Sequence, residues 1–346
     1  MKERNFNLDL IRFAAIFSVI AIHFIRNIGF YAVNITGFSL SLAVFFRTVL
    51  EICVPLFLLL TGYLMNKKQL SKKYYLGIVK VVFVFFSAKI VYLLVDHFYF
   101  HEIDSFATIL RHIFSYSDLV YYNDYSWYVN MYFGLFLLIP FFNLIYHNLK
   151  SKKEKQVLIL TLLFLTSLSS LNIKHITIIP DWWGPVYPIT YYFIGAYLSE
   201  YKINIKKSYL LIAFILLNLI SSIFYIFISY DKIFVTRDFN DYRGPVTFIC
   251  SVLFFVIVLN LNTKKVPTKI KKFVTKTSEI SFGMYLFSFI VDKVFYDKFN
   301  SIFSTFDEKF IYGFIVVPLI FMLSFFLSYL IDIIYTKFIN PLIKRN

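Results

Sequence analysis

Arg12 and His23 lie in one apolar stretch of the chain, eleven residues apart. At 100° per residue of an α-helix they fall about 20° apart after three turns, separated by roughly 16 Å along the axis. An imidazole titrates near neutrality and serves as a general base. A guanidinium meets phosphate oxygens or a developing oxyanion. Asp9 and Arg26 fall about 60° and 40° to either side of Arg12, so four polar side chains share an arc of about 100°. Ile16, Val19 and, at the edge, Ala15 stand between Arg12 and His23. Ala15 and Val19 leave room for a long thin ligand on one side, while Ile16 narrows the other. An ionisable group in hydrocarbon costs several kcal/mol unless paired or hydrated, so such a stripe is first read as a functional cavity. The plainer reading has Asp9 and Arg26 reaching to the two membrane faces while Arg12 and His23 hydrogen-bond to neighbouring helices.

Other polar residues admit two readings each. Arg47 and Glu51 stand at i, i+4 and can pair within a helix; alternatively Glu51 orients His23. Thr61 bonds its own helix backbone or joins a site. Lys89, Asp292 and Lys293 sit near span ends and read as snorkelling side chains. Asp96-His97 and His101-Glu102 give an H-x3-H spacing that suits a metal on a helix face, but the Glu that follows the first His in metalloproteases is missing. Ordinary interfacial residues are expected there, and no metal site. Tyr121-Tyr-Asn-Asp-Tyr125-Ser-Trp127-Tyr128 and Asp181-Trp182-Trp183 combine aromatic faces with amides and carboxylates, as a sugar site would. The aromatic belt of a membrane interface looks the same. Asp238, Asn240, Asp241 and Arg243 make a weaker case for the same site. Cys53 and Cys250 fall in apolar runs and read as small hydrophobes, with no disulfide expected. A phosphate-cradling glycine motif is absent, and the chain has only ten glycines.

The elements that must hold these residues are membrane helices. Of 346 residues, 59% are hydrophobic and 16% charged, more apolar side chain than a soluble interior of this size can bury. Apolar runs predict an all-α polytopic membrane protein of about ten helices, near 8 to 30, 39 to 65, 76 to 97, 126 to 146, 156 to 172, 184 to 199, 208 to 229, 244 to 261, 278 to 296 and 310 to 334. Pro185 and Pro188 suggest that the sixth is broken or tilted. The first run has no small-x-small cleavage site and reads as an uncleaved span. Ten spans leave no space for a separate soluble module, so residues 1–346 form one membrane domain. The net charge of +15 follows topology. With a cytoplasmic N-terminus, twenty-two of the 35 Lys and Arg fall in inside segments, seven outside and six within spans. That is the positive-inside pattern with both termini cytoplasmic, and it argues for anionic lipid headgroups rather than nucleic acid.

The segment Asn7-Leu-Asp-Leu-Ile-Arg-Phe-Ala-Ala-Ile16, continuing to His23, resembles the opening motif of acyltransferase family 3: an Arg, ten residues, then a His. These are multi-pass bacterial membrane O-acyltransferases that modify surface glycans. Val54-Pro-Leu-Phe-Leu-Leu-Leu-Thr-Gly-Tyr63 resembles the family's second-helix motif, which ends in Ser/Thr-Gly-aromatic. Lys72, Lys73 and Lys80 stand where the family usually has arginines at a cytoplasmic mouth. Trp127-Tyr128 with Pro140, Tyr192-Phe-Ile-Gly195 and Ser281-Phe-Gly-Met-Tyr285-Leu-Phe-Ser288 follow in the family's order, so the resemblance spans nearly the whole chain. Ser288 is a departure, because family members often carry a His there, and a mechanism needing two histidines has no second one at that position.

The resemblance implies transfer of an acyl group, acetyl being the expectation, from acyl-CoA to a hydroxyl of a cell-surface or lipid-linked glycan in the bacterial cytoplasmic membrane. Acetyl-CoA is then a substrate, and no bound cofactor is expected. His23 is the expected base. Arg12, Lys72, Lys73 and Lys80 would meet the donor, while Asp9, Glu51, Thr61 and Ser288 would orient or support. Tyr125, Trp127, Tyr128, Trp182 and Trp183 would face the acceptor. The runner-up is an exporter of a polysaccharide or lipid-linked sugar without transfer chemistry, its path lined by the same polar stripe.

Overall fold

A computed structural model of the chain describes residues 4–100, 105, 107, 125–172, 177, 179–236 and 241–345. It is 81% helical with no strand among those residues. The helices are α1 Phe6–Asn27, α2 Gly37–Leu50, α3 Cys53–Met65, α4 Lys72–Leu76, α5 Val79–Tyr99, α6 Trp127–Asn148, α7 Lys152–Ser167, α8 Tyr187–Glu200, α9 Lys207–Ser229, α10 Pro245–Leu259, α11 Thr268–Ile302, α12 Phe306–Ile311, α13 Gly313–Ile334 and α14 Asn340–Arg345.

Seven helical stretches among the described residues are long and apolar enough to cross a bilayer: Phe6–Ala32, Gly37–Met65, Lys72–Tyr99, Trp127–Asn148, Lys152–Leu171, Lys207–Ser229 and Gly313–Leu342. The chain is an all-helical, multi-pass membrane protein. The other three expected segments are helical but of different character. Helices α8 and α10 have 14 and 15 residues, short of the roughly 20 that span hydrocarbon. Helix α11 has 35 residues and so runs about 52 Å, past a core of about 30 Å.

Local sequence explains where the helices stop. The expected single helix from 39 to 65 is broken at Glu51 and Ile52, between α2 and α3. Pro55 is the cause: it has no N–H to give the carbonyl of Glu51, and its ring collides with that carbonyl. Gly77 and Ile78 interrupt the next expected helix, between α4 and α5. Pro188 near the N-terminus of α8 is placed where its missing N–H costs nothing, and the preceding Asp181–Val186 turn is a 3-10 helix. Ser151 with Glu154, and Thr305 with Glu308, form capping boxes that start α7 and α12.

The helices group into two compact units, Met1–Lys68 with Ile139–Ser278 and Phe303–Gly313, and Gln69–Leu138 with Glu279–Ile302 and Phe314–Asn346. In the first unit α3 lies against α8 and α1, and α1 also packs on α2 and α10. The α3–α8 crossing is backbone on backbone. A Cβ at Gly62 would stand 1.9 Å from the Tyr192 carbonyl oxygen, and one at Gly195 2.1 Å from the Leu59 carbonyl oxygen. Small residues that let helix backbones meet are the main packing device where lipid removes the hydrophobic drive. Asn7 ties the start of α1 to the end of α10, donating to the Leu259 and Leu261 carbonyls at 2.8 and 2.9 Å and accepting from Thr263 at 2.8 Å. The Leu259 carbonyl, in the last turn of α10, has no partner within its own helix. In the second unit Lys80 pairs with Asp332 at 2.6 Å, and Lys293 pairs with Asp96 at 2.6 Å while donating to the Tyr92 hydroxyl at 2.8 Å. Lys293 and Asp96 thus neutralise each other rather than each reaching for solvent.

Gly62→Ala and Gly195→Ala are each expected to destabilise the detergent-solubilised protein by about 1–3 kcal/mol or more, read as a lowered Tm. Gly134→Ala, whose methyl meets nothing within 4 Å, should leave Tm unchanged or slightly raised. Equal Tm values for the three would rule out the backbone contact.

Candidate active site

Helix α1 is unbroken from Phe6 to Asn27, and the Asn5 side chain caps it by accepting from the Asn7 N–H at 3.0 Å. The Arg12 to His23 register is therefore the one that helix periodicity predicts. Arg12 and His23 are both half-buried, and Arg26 is exposed. Ala15, Ile16 and Val19 between them are fully covered. The expectation of open space along Ala15 and Val19 is therefore corrected. Close packing leaves no gap there, because in a protein interior a gap forfeits dispersion contacts.

Asp9 is the centre of a network at the start of α1. Arg4 donates to both of its oxygens at 2.7 Å. The Ser278 hydroxyl donates to Asp9 at 2.7 Å and Thr275 at 3.2 Å. Arg12 in turn donates to Ser278 at 3.1 Å. Asp9 and Arg12 are thus linked through a serine of α11, a long-range contact that no spacing within α1 reveals. Ser278 and Thr275 were not among the expected site residues. The only hint is that small hydroxyl residues stand on a lysine-rich helix start, a signal too common to single them out.

Glu51 is buried beside Arg47, with 3.5 Å between Arg47 Nη2 and Glu51 Oε2. Among the described residues its charge is met by Arg47 and not by His23. Arg47 also donates to the Tyr31 hydroxyl at 2.9 Å and lies 4.8 Å from the Phe234 ring centroid. Thr61 donates to the Phe57 carbonyl at 2.8 Å, within its own helix. Asp181 accepts two hydrogen bonds from Arg243, at 2.6 and 2.8 Å. Partial burial works against its charge, but those bonds outweigh it and hold its carboxyl below the usual range. Trp182 and Trp183 beside it are 86% and 51% exposed.

The remaining expected residues belong to the second unit. Lys72 and Lys73 are exposed in the first turn of α4, whose N-terminus Ser71 caps, and Lys80 is the partner of Asp332. Ser288 is fully buried and donates to the Tyr285 carbonyl at 2.8 Å. Trp127 is exposed, whereas Tyr125 and Tyr128 are buried, which leaves neither a ring face for a sugar to stack on. Tyr125 donates to Asp292 at 2.8 Å and packs on Phe289 at 5.1 Å between centroids. Tyr128 packs on Tyr285 at 5.5 Å. His101, Glu102, Asp238, Asn240 and Tyr121 to Asp124 lie outside the described residues.

A family model described as an acyltransferase domain matches residues 5–333. Searches of curated proteins and of solved structures find no match. The matched region takes in the Asn7 to His23 segment, the Thr61-Gly62-Tyr63 and Gly195 motifs that meet at the α3–α8 crossing, and the Tyr285 to Ser288 segment of α11. An apolar, all-helical scaffold carrying these segments in this order, matched over almost its whole length, belongs to acyltransferase family 3 and is a membrane acyltransferase.

Proposed function

We propose that the protein transfers an acetyl group from acetyl-CoA to a hydroxyl of a cell-surface or lipid-linked glycan, in a bacterial cytoplasmic membrane with both termini on the cytoplasmic side. The observation that carries the reading is the polar face of α1, where Arg12 is held toward the N-terminal end by Ser278 and His23 stands roughly 16 Å further on. The distribution of Lys and Arg supports the orientation.

The His23 imidazole takes the proton of the acceptor hydroxyl as its oxygen attacks the thioester carbonyl. The C–S bond breaks, the new ester C–O bond is left, and the thiolate of CoA takes up a proton. Arg12 meets a donor phosphate or the thioester carbonyl oxygen, where positive charge counts most once water is excluded. Lys72 and Lys73, exposed at the start of α4, draw the polyanionic donor from the cytoplasm. Trp182 and Trp183 offer the exposed rings on which an acceptor sugar stacks.

Three outcomes test this. His23→Ala should keep acetyl-CoA binding and lose at least about a hundredfold in kcat, the usual contribution of a general base. Full transfer by a folded His23→Ala protein would sink the mechanism. Arg12→Ala should weaken acetyl-CoA binding about tenfold or more, the loss expected of a charged hydrogen bond. A parent protein that binds no acetyl-CoA is instead an exporter. Ser278 is a positioning residue: Ser278→Ala should raise the KM for acetyl-CoA several-fold with little change in kcat, and Ser278→Thr should restore it. A fall in kcat with KM unchanged would assign Ser278 a purely structural part.

A further inference from the structure

We infer that the first unit holds a sugar-binding site with Arg47 and Glu51 at its floor and Trp182 and Trp183 at its mouth; it rests on the proposed transfer in taking the acceptor glycan as its ligand. Arg47 and Glu51 are 8% and 5% exposed. Their ion pair is too long for a hydrogen bond at 3.5 Å, and buried Arg47 Nη1 and Glu51 Oε2 have no hydrogen-bond partner. Buried polar atoms are normally satisfied, because each one left over costs about 1–3 kcal/mol. Here a donor and an acceptor are left side by side, at the point where Pro55 breaks the helix and opens the backbone.

Other groups face the same place. Cys53, two residues beyond Glu51, has its thiol 3.9 Å from the Tyr242 hydroxyl, and the Tyr187 and Tyr242 rings lie 6.3 Å apart. The segment around 242 is tied to the tryptophan turn by Arg243 and Asp181, and to α8 by the Tyr191 hydroxyl, which donates to the Tyr242 carbonyl at 2.8 Å. Neighbouring hydroxyls on a sugar ring both donate and accept. A carboxylate beside a guanidinium satisfies such a pair, as neither a hydrocarbon chain nor a phosphate would: a phosphate would be repelled by Glu51. Indole faces at the edge suit the apolar C–H face of the ring.

The test uses the purified full-length protein, acetyl-CoA, and envelope glycan extracted from a strain lacking the gene. Glu51→Gln is expected to raise the KM for the glycan tenfold or more while the KM for acetyl-CoA stays within twofold. Trp183→Ala, an exposed position that does not threaten folding, should raise the glycan KM several-fold. Tryptophan fluorescence titrated with the same glycan should show quenching in the parent and its loss in Glu51→Gln. A glycan KM unchanged by both substitutions, or a change confined to acetyl-CoA, overturns the site. Quenching without acetyl transfer by the parent supports the site and refutes the proposed transfer, whereas neither transfer nor quenching refutes both.

Discussion

A polar group inside a bilayer has no solvent to fall back on, and in this chain that constraint decides which contacts exist. Asn7 spends its side chain on open carbonyls at and just past the end of α10. Asp9 gathers Arg4, Ser278 and Thr275, and Lys293 is matched to Asp96. Each joins segments far apart in sequence, because a local partner was not enough. The charged groups that make the protein expensive to insert are therefore also what holds its helices in register.

The second device is close approach. Gly62 and Gly195 give up side chains so that α3 and α8 meet through their backbones. Dispersion between well-fitted surfaces replaces the hydrophobic drive that lipid abolishes. That crossing lies one helix away from the stripe bearing Arg12 and His23, since α3 also packs on α1. Pro55 works in the opposite sense. By interrupting backbone pairing at Glu51 it places a helix break, and with it a buried ion pair, where a straight helix would have presented only side chains.

Much of this was legible beforehand. Each of the ten expected apolar segments is helical, and the register of Arg12 and His23 follows from period alone because α1 is unbroken. Breaks were harder to see. Hydropathy does not register a missing N–H, so 39 to 65 read as one helix although Pro55 was in plain view. The aromatic residues divided in a way that composition hides: Trp182 and Trp183 are exposed, whereas Tyr125 and Tyr128, in an equally aromatic run, are buried against Phe289 and Tyr285.

By itself the sequence determined the class of molecule, its helical segments and the polar face of α1, because burial cost and helical period act on neighbours along the chain. Only the tertiary structure decided partners. Whether Glu51 answers to His23 or to Arg47, and whether Thr61 joins a site or bonds back to Phe57, depends on which residues arrive from other helices. Ser278 shows this most directly: nothing in its own segment marks it, and it matters because α11 carries it between Asp9 and Arg12.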